Sequence, residues 1–111
     1  MELTKDQAQK AIHQLKRNLC QRFGDDIIQL YLFGSVARGD FGPESDIDIL
    51  ILFNAPLTRE IEKAIMNVIF QIELDNDVVF GPMIESKSDW NTPLFQVMPI
   101  HKTIDREGLA V

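Results

Sequence analysis

Residues 33–51 read FGSVARGDFGPESDIDILI, and both ends of this stretch run into strands. Ile47 to Phe53 (IDILILF) is the strongest strand signal in the chain, a short apolar run broken only by Asp48. Residues 27–33 (IIQLYLF) form a second buried-strand pattern, apolar and partly aromatic, which Gly34 ends. Between the two, Ser35 to Arg38 suits one helical turn and GDFGPES suits a loop.

The charged and small residues of this stretch carry the chemistry. Asp46 and Asp48 are two apart at the start of a strand, so both project from one face with Cα atoms roughly 6.5 Å apart. Like charges that close repel, so one stays protonated or a cation sits between them, and Mg²⁺ held by one or two carboxylates plus phosphate oxygens meets that need. The plainer alternative is a pair of solvated acids ahead of a strand. Gly34-Ser35 lets backbone N–H groups and a hydroxyl approach an anion; it equally fits an ordinary strand-ending glycine and a helix-capping serine. Arg38, one turn on, can reach a phosphate bidentately or pair with Asp40 or Glu44.

Working outward, residues 4–23 read as an amphipathic helix. Thr4 is its cap, Gln7 completes a capping box, and Gly24 stops it. Leu57 to about Glu73 is a second long helix with Ile61, Ile65, Ile69 and Ile72 on its buried side. Asp77 to about Glu85 (DVVFGPMIE) reads as a third strand, which Gly81-Pro82 bends or confines to a sheet edge. Pro93 to Met98 and Pro99 to Glu107 are short helices, closed by Gly108. The order implies an α/β (α+β) two-layer domain spanning residues 1–111, a small mixed sheet packed by helices.

Composition narrows the function classes. The chain has 111 residues, with 11 Lys and Arg against 17 Asp and Glu, a net charge of −6. The cations are scattered, so tight unassisted nucleic-acid binding is not expected. No apolar run approaches the length of a membrane span. The polar N-terminus lacks the pattern of a signal peptide, and Cys20 is the single cysteine, so a reduced cytoplasmic location is expected. His13 reads as a surface or half-buried helix residue and His101 as an exposed one. Trp90 and Phe95 read as core or interface residues, and Cys20 as a small buried one. No zinc spacing, nucleophile elbow or phosphate-binding GxxxxGK[ST] loop occurs.

With Gly34, Ser35, Ala37, Arg38, Gly39, Ser45, Asp46 and Asp48 all in place, the 19-residue stretch resembles the signature of the polymerase-β-like nucleotidyltransferase superfamily. It is most similar to the small prokaryotic minimal nucleotidyltransferase group, and the ending PIHKTIDREG extends the likeness. The resemblance implies a nucleotidyltransferase fold and a transferase moving AMP from ATP to a hydroxyl. Asp46, Asp48 and a third carboxylate would hold two Mg²⁺ (or Mn²⁺) ions. Asp77 is the position implied for that carboxylate, with Asp75 as competitor. Gly34, Ser35, Arg38 and Asp46 would contact the nucleotide. The resemblance further implies a HEPN-domain helical partner, modified by this chain as its antitoxin. Alternatives are a non-catalytic antitoxin that neutralises by contact, or a small-molecule or RNA acceptor.

Overall fold

The computed structural model describes residues 3–111; Met1 and Glu2, which open the polar stretch read above, lie outside the described residues. Helix α1 spans Lys5–Phe23. Thr4 Oγ1 accepts from Gln7 N–H at 3.1 Å and Gln7 Oε1 accepts from Thr4 N–H at 3.2 Å, the reciprocal pair expected of a capping box. Ala8, Ala11, Ile12, Leu15 and Leu19 form its buried stripe, and Gly24 at φ 104° closes it. Helix α3, Arg59–Asn76, is capped by Thr58 and buries Ile65, Ile69 and Ile72.

These two helices cover one face of a four-stranded sheet of order β3-β2-β1-β4. Strand β1 (Ile28–Phe33) runs antiparallel to β2 (Ile47–Phe53), so the loop between them turns the chain back. Strand β3 (Phe80–Ser86) is parallel to β2, which is why a long helix must intervene. Two-residue β4 (Leu109–Ala110) pairs with the other side of β1. Alternation divides the sheet cleanly. Ile28, Leu30, Leu32, Ile47, Ile49, Ile51 and Phe53 pack against α1 and α3 in one core. Each fully buried side chain contributes about 1.5–3 kcal/mol relative to exposure.

The two-layer expectation describes that half. On the opposite face, the short helices α4 (Lys87–Trp90), α5 (Pro93–Gln96) and α6 (Pro99–Glu107) add a partial third layer. Leu50, Leu52, Trp90 and Ile104 are buried there, flanked by Tyr31, Phe33, Met83 and Phe95. His101 corrects its sequence reading: it is 6% exposed, stacked on Trp90 with ring centroids 4.2 Å apart. Its Nδ1 lies 2.9 Å from Asp105 Oδ2. The exposed side of α6 begins one residue later, at Lys102.

The start of β3 is also corrected. Helix α3 continues to Asn76, and Asp77 ends it in the left-handed region at φ 54°, donating its N–H to Glu73 O. Aspartate tolerates that conformation better than most residues. The strand therefore begins at Phe80, three residues beyond the expected start. Its outer edge is blunted: Phe80 N–H is taken by Glu73 Oε2 at 2.8 Å, and Pro82 has no N–H to offer. The edge position foreseen from Gly81-Pro82 holds.

Candidate active site

Asp48 occupies the second position of β2, paired with Phe33 on β1 and Gly81 on β3. Asp46 precedes the strand by one residue and is exposed, while Asp48 is half-buried. Both share the sheet face of Leu50 and Leu52, the side covered farther along by α4 and α6.

Space for the Asp48 carboxylate comes from two glycines. A Cβ on Gly34 would overlap Asp48 Oδ2, and one on Gly81 would stand 2.7 Å from Oδ1. Gly34 also has φ 76°, so the turn from β1 into helix α2 (Gly34–Arg38) requires glycine twice over. Burial raises the Asp48 pKa, the charge of Asp46 raises it further, and Arg38 partly opposes both. The site thus holds a carboxylate whose negative charge is only partly compensated by the protein.

The loop between Arg38 and Asp46 is fixed locally. Gly39 ends α2 at φ 80°, and Ser45 Oγ accepts from Gly42 N–H at 2.9 Å. Ser35 is half-buried in the first turn of α2. Arg38 pairs with Asp40 through Nε at 3.2 Å and with Glu107 through Nη1 at 3.0 Å. The Asp40 hydrogen bond, aided by Glu107, holds the guanidinium above its ordinary pKa. Glu107 also accepts from Gly34 N–H at 3.2 Å. Patterning gave no sign of this contact, because the two residues are 73 positions apart.

The two acids considered for a third carboxylate part company. Asp75, on α3, receives Gln71 Nε2 at 3.0 Å and Gln14 Nε2 at 3.4 Å, which ties it to the α1–α3 side. Asp77 lines a hollow of about 140 Å³ together with Glu44, Ser45, Asp46 and Val79. Among the described residues no three His, Cys, Asp or Glu side chains gather closely enough to form a ready-made metal cage. Two carboxylates still suit a hard cation that brings phosphate and water oxygens with it.

Comparison with known proteins bears on this geometry. The model of the nucleotidyltransferase domain family matches residues 12–94, from mid-α1 through β3 and into α5. Two proteins of Methanocaldococcus jannaschii that carry the provisional name protein adenylyltransferase are similar to the chain. One is 32% identical over 77 residues, covering 69% of this chain and 78% of its own. The other is 30% identical over 100 residues, covering 90% and 93%. An aminoglycoside nucleotidyltransferase (4′) of Staphylococcus aureus is 24% identical over 106 residues, and the chain spans 41% of its length. The chain belongs to the nucleotidyltransferase family, whose members transfer a nucleotidyl group from a nucleoside triphosphate.

Proposed function

We propose that the protein transfers AMP from ATP to a hydroxyl group on a partner protein, with Asp46 and Asp48 as its metal-binding pair. The observation that carries this reading is the Asp48 carboxylate seated between Gly34 and Gly81 beside Asp46. A half-buried acid with an acidic neighbour is poised to take a cation, and it lies against the Gly34 turn, whose donors suit phosphate. Bound Mg²⁺ would supply charge neutralisation and polarisation of the phosphate oxygens.

The protein's own groups do the rest. Asp46 and Asp48 would hold the ion and so orient the triphosphate. Gly34 N–H, the Ser35 hydroxyl and Arg38 hold its outer phosphates, placing the α-phosphate toward the aspartates. The acceptor oxygen attacks the α-phosphorus, the bond to the bridging oxygen breaks, and pyrophosphate leaves. Asp77, which lines the same hollow as Asp46, takes the acceptor's proton. A protein acceptor is favoured by the two relatives provisionally named protein adenylyltransferases. We assign the acceptor to a HEPN-domain helical protein, which makes this chain the antitoxin of the pair. A small-molecule acceptor is the second reading, favoured by the aminoglycoside relative.

Radiolabelled ATP and Mg²⁺ test the proposal directly, with the helical partner present or omitted. Label on the partner, absent with Asp48→Asn, is expected. A stable complex without label would sink the transfer reading in favour of neutralisation by contact.

A further inference from the structure

Glu107 closes α6 and reaches the Gly34 turn from the far end of the chain. One oxygen, Oε1, accepts both from Gly34 N–H at 3.2 Å and from Arg38 Nη1 at 3.0 Å. The side chain is only 15% exposed. Its position is set from both sides. Ile104, one turn earlier, is buried in the second core, and Leu109 and Ala110 pair with Leu32 and Tyr31 just before the turn. Phe33, which precedes Gly34, has no side-chain hydrogen bond to offer as a cap. Glu107 supplies that acceptor.

A carboxylate oxygen bridging an N–H and a guanidinium makes the same charge-assisted hydrogen bonds as a phosphate oxygen. Gly34 N–H and Arg38 are also two of the donors assigned above to the triphosphate. We propose that Glu107 is an internal competitor for the nucleotide's phosphates, so that binding requires the triphosphate to take both donors from it. The inference rests on the nucleotide reading of this site. It also implies selectivity. A bare polyphosphate approaching the turn meets Glu107, Asp46 and Asp48, whereas a metal-complexed triphosphate brings positive charge to the aspartates and enough oxygens to replace Glu107. Release gives up the two hydrogen bonds to Oε1 and loosens the short segment that β4 pairing and Val111 N–H to Leu30 O hold on β1. Glu107 is the last residue of its helix, and the two residues of β4 that follow are both exposed.

Calorimetric titration of the full chain and of Glu107→Gln tests this, using ATP with and without Mg²⁺ and metal-free tripolyphosphate. Glutamine keeps an acceptor for both donors and removes the charge. The variant is expected to bind MgATP roughly 3- to 10-fold more tightly, and to gain affinity for tripolyphosphate. In the unmodified protein, MgATP should speed amide exchange at residues 108–111. Weaker or unchanged MgATP binding by the variant would overturn the inference, because Glu107 would then support the turn rather than compete for it. Unchanged exchange at 108–111 on MgATP binding would overturn it as well. If neither protein binds MgATP while both melt cooperatively, the nucleotide reading itself fails and takes the inference with it.

Discussion

Gly81 stands opposite Asp48 across the parallel β2–β3 pair, and a methyl group on it would lie 2.7 Å from Asp48 Oδ1. That is closer than real Cβ contacts come, so one of the two groups would have to move. The carboxylate has the Gly34 backbone on its other side. Backbone freedom plays no part here, since Gly81 is not among the glycines with positive φ. The glycine is there for the aspartate.

Gly81→Ala is therefore expected to damage activity more than folding. Pushing Asp48 out of place should lower the rate of pyrophosphate release at least about 10-fold, or ~1.4 kcal/mol in the barrier. The melting temperature should fall by only a few degrees. Gly34→Ala makes the useful contrast. It meets the same carboxylate and adds a left-handed backbone cost of about 1–2 kcal/mol, so both activity and stability should drop. An alanine at 81 with an undiminished rate would show that Asp48 need not sit where the structure puts it.

Asp48→Asn separates catalysis from stability through pH. Burial and then Asp46 raise the Asp48 pKa in the folded chain. The folded state thus holds the Asp48 proton more tightly than the unfolded state does. The resulting stabilisation is present at low pH and is lost as pH rises through the raised pKa. Asparagine has no proton to lose. Without metal, urea melts should show the two proteins alike near about pH 4 and the variant the more stable at neutral pH. Glu85, raised by its own burial and by Asp89 and Glu62, should leave the variant a residual slope of the same sign. Mg²⁺ should narrow the gap by stabilising the unmodified protein, and pyrophosphate release should vanish in the variant. A metal-free unmodified protein more stable than Asp48→Asn at neutral pH would contradict the assigned environment.

How far the sequence could be read follows from the range of the interactions involved. The capping box at Thr4 and Gln7, the stripe along α1 and the alternation in β1 and β2 are local, and patterning places each within a residue or two. Gly34, Asp46 and Asp48 fall together because one antiparallel pair of strands joins the two ends of the stretch that contains them. Asp77 is different. The pattern DVVF looks like a strand opening, but nothing in it reveals that α3 would continue to Asn76 and stop on a left-handed aspartate. Glu107 and Gly81 were illegible as site residues for a related reason. Each acts across a contact that only the assembled fold creates, although a glycine opposite an acidic strand position is a signal worth seeking.

His101, expected to be exposed, is instead buried against the second core. Its Nδ1 bonds Asp105, while Nε2 is buried without a hydrogen-bond partner among the described residues. An unpaired buried polar atom costs roughly 1–3 kcal/mol, whereas the bond to Asp105, whose side chain is 65% exposed, returns about 1 kcal/mol or less. The ring's packing on Trp90 does not depend on its nitrogens. His101→Phe keeps an aromatic ring against Trp90 and removes the unpaired atom, so a gain of about 1 kcal/mol in urea unfolding is expected. Trp90→Ala, by contrast, empties the centre of this second core and should cost about 3–5 kcal/mol. Destabilisation by His101→Phe would mean that Nε2 has a partner, such as an ordered water, that contributes to the fold.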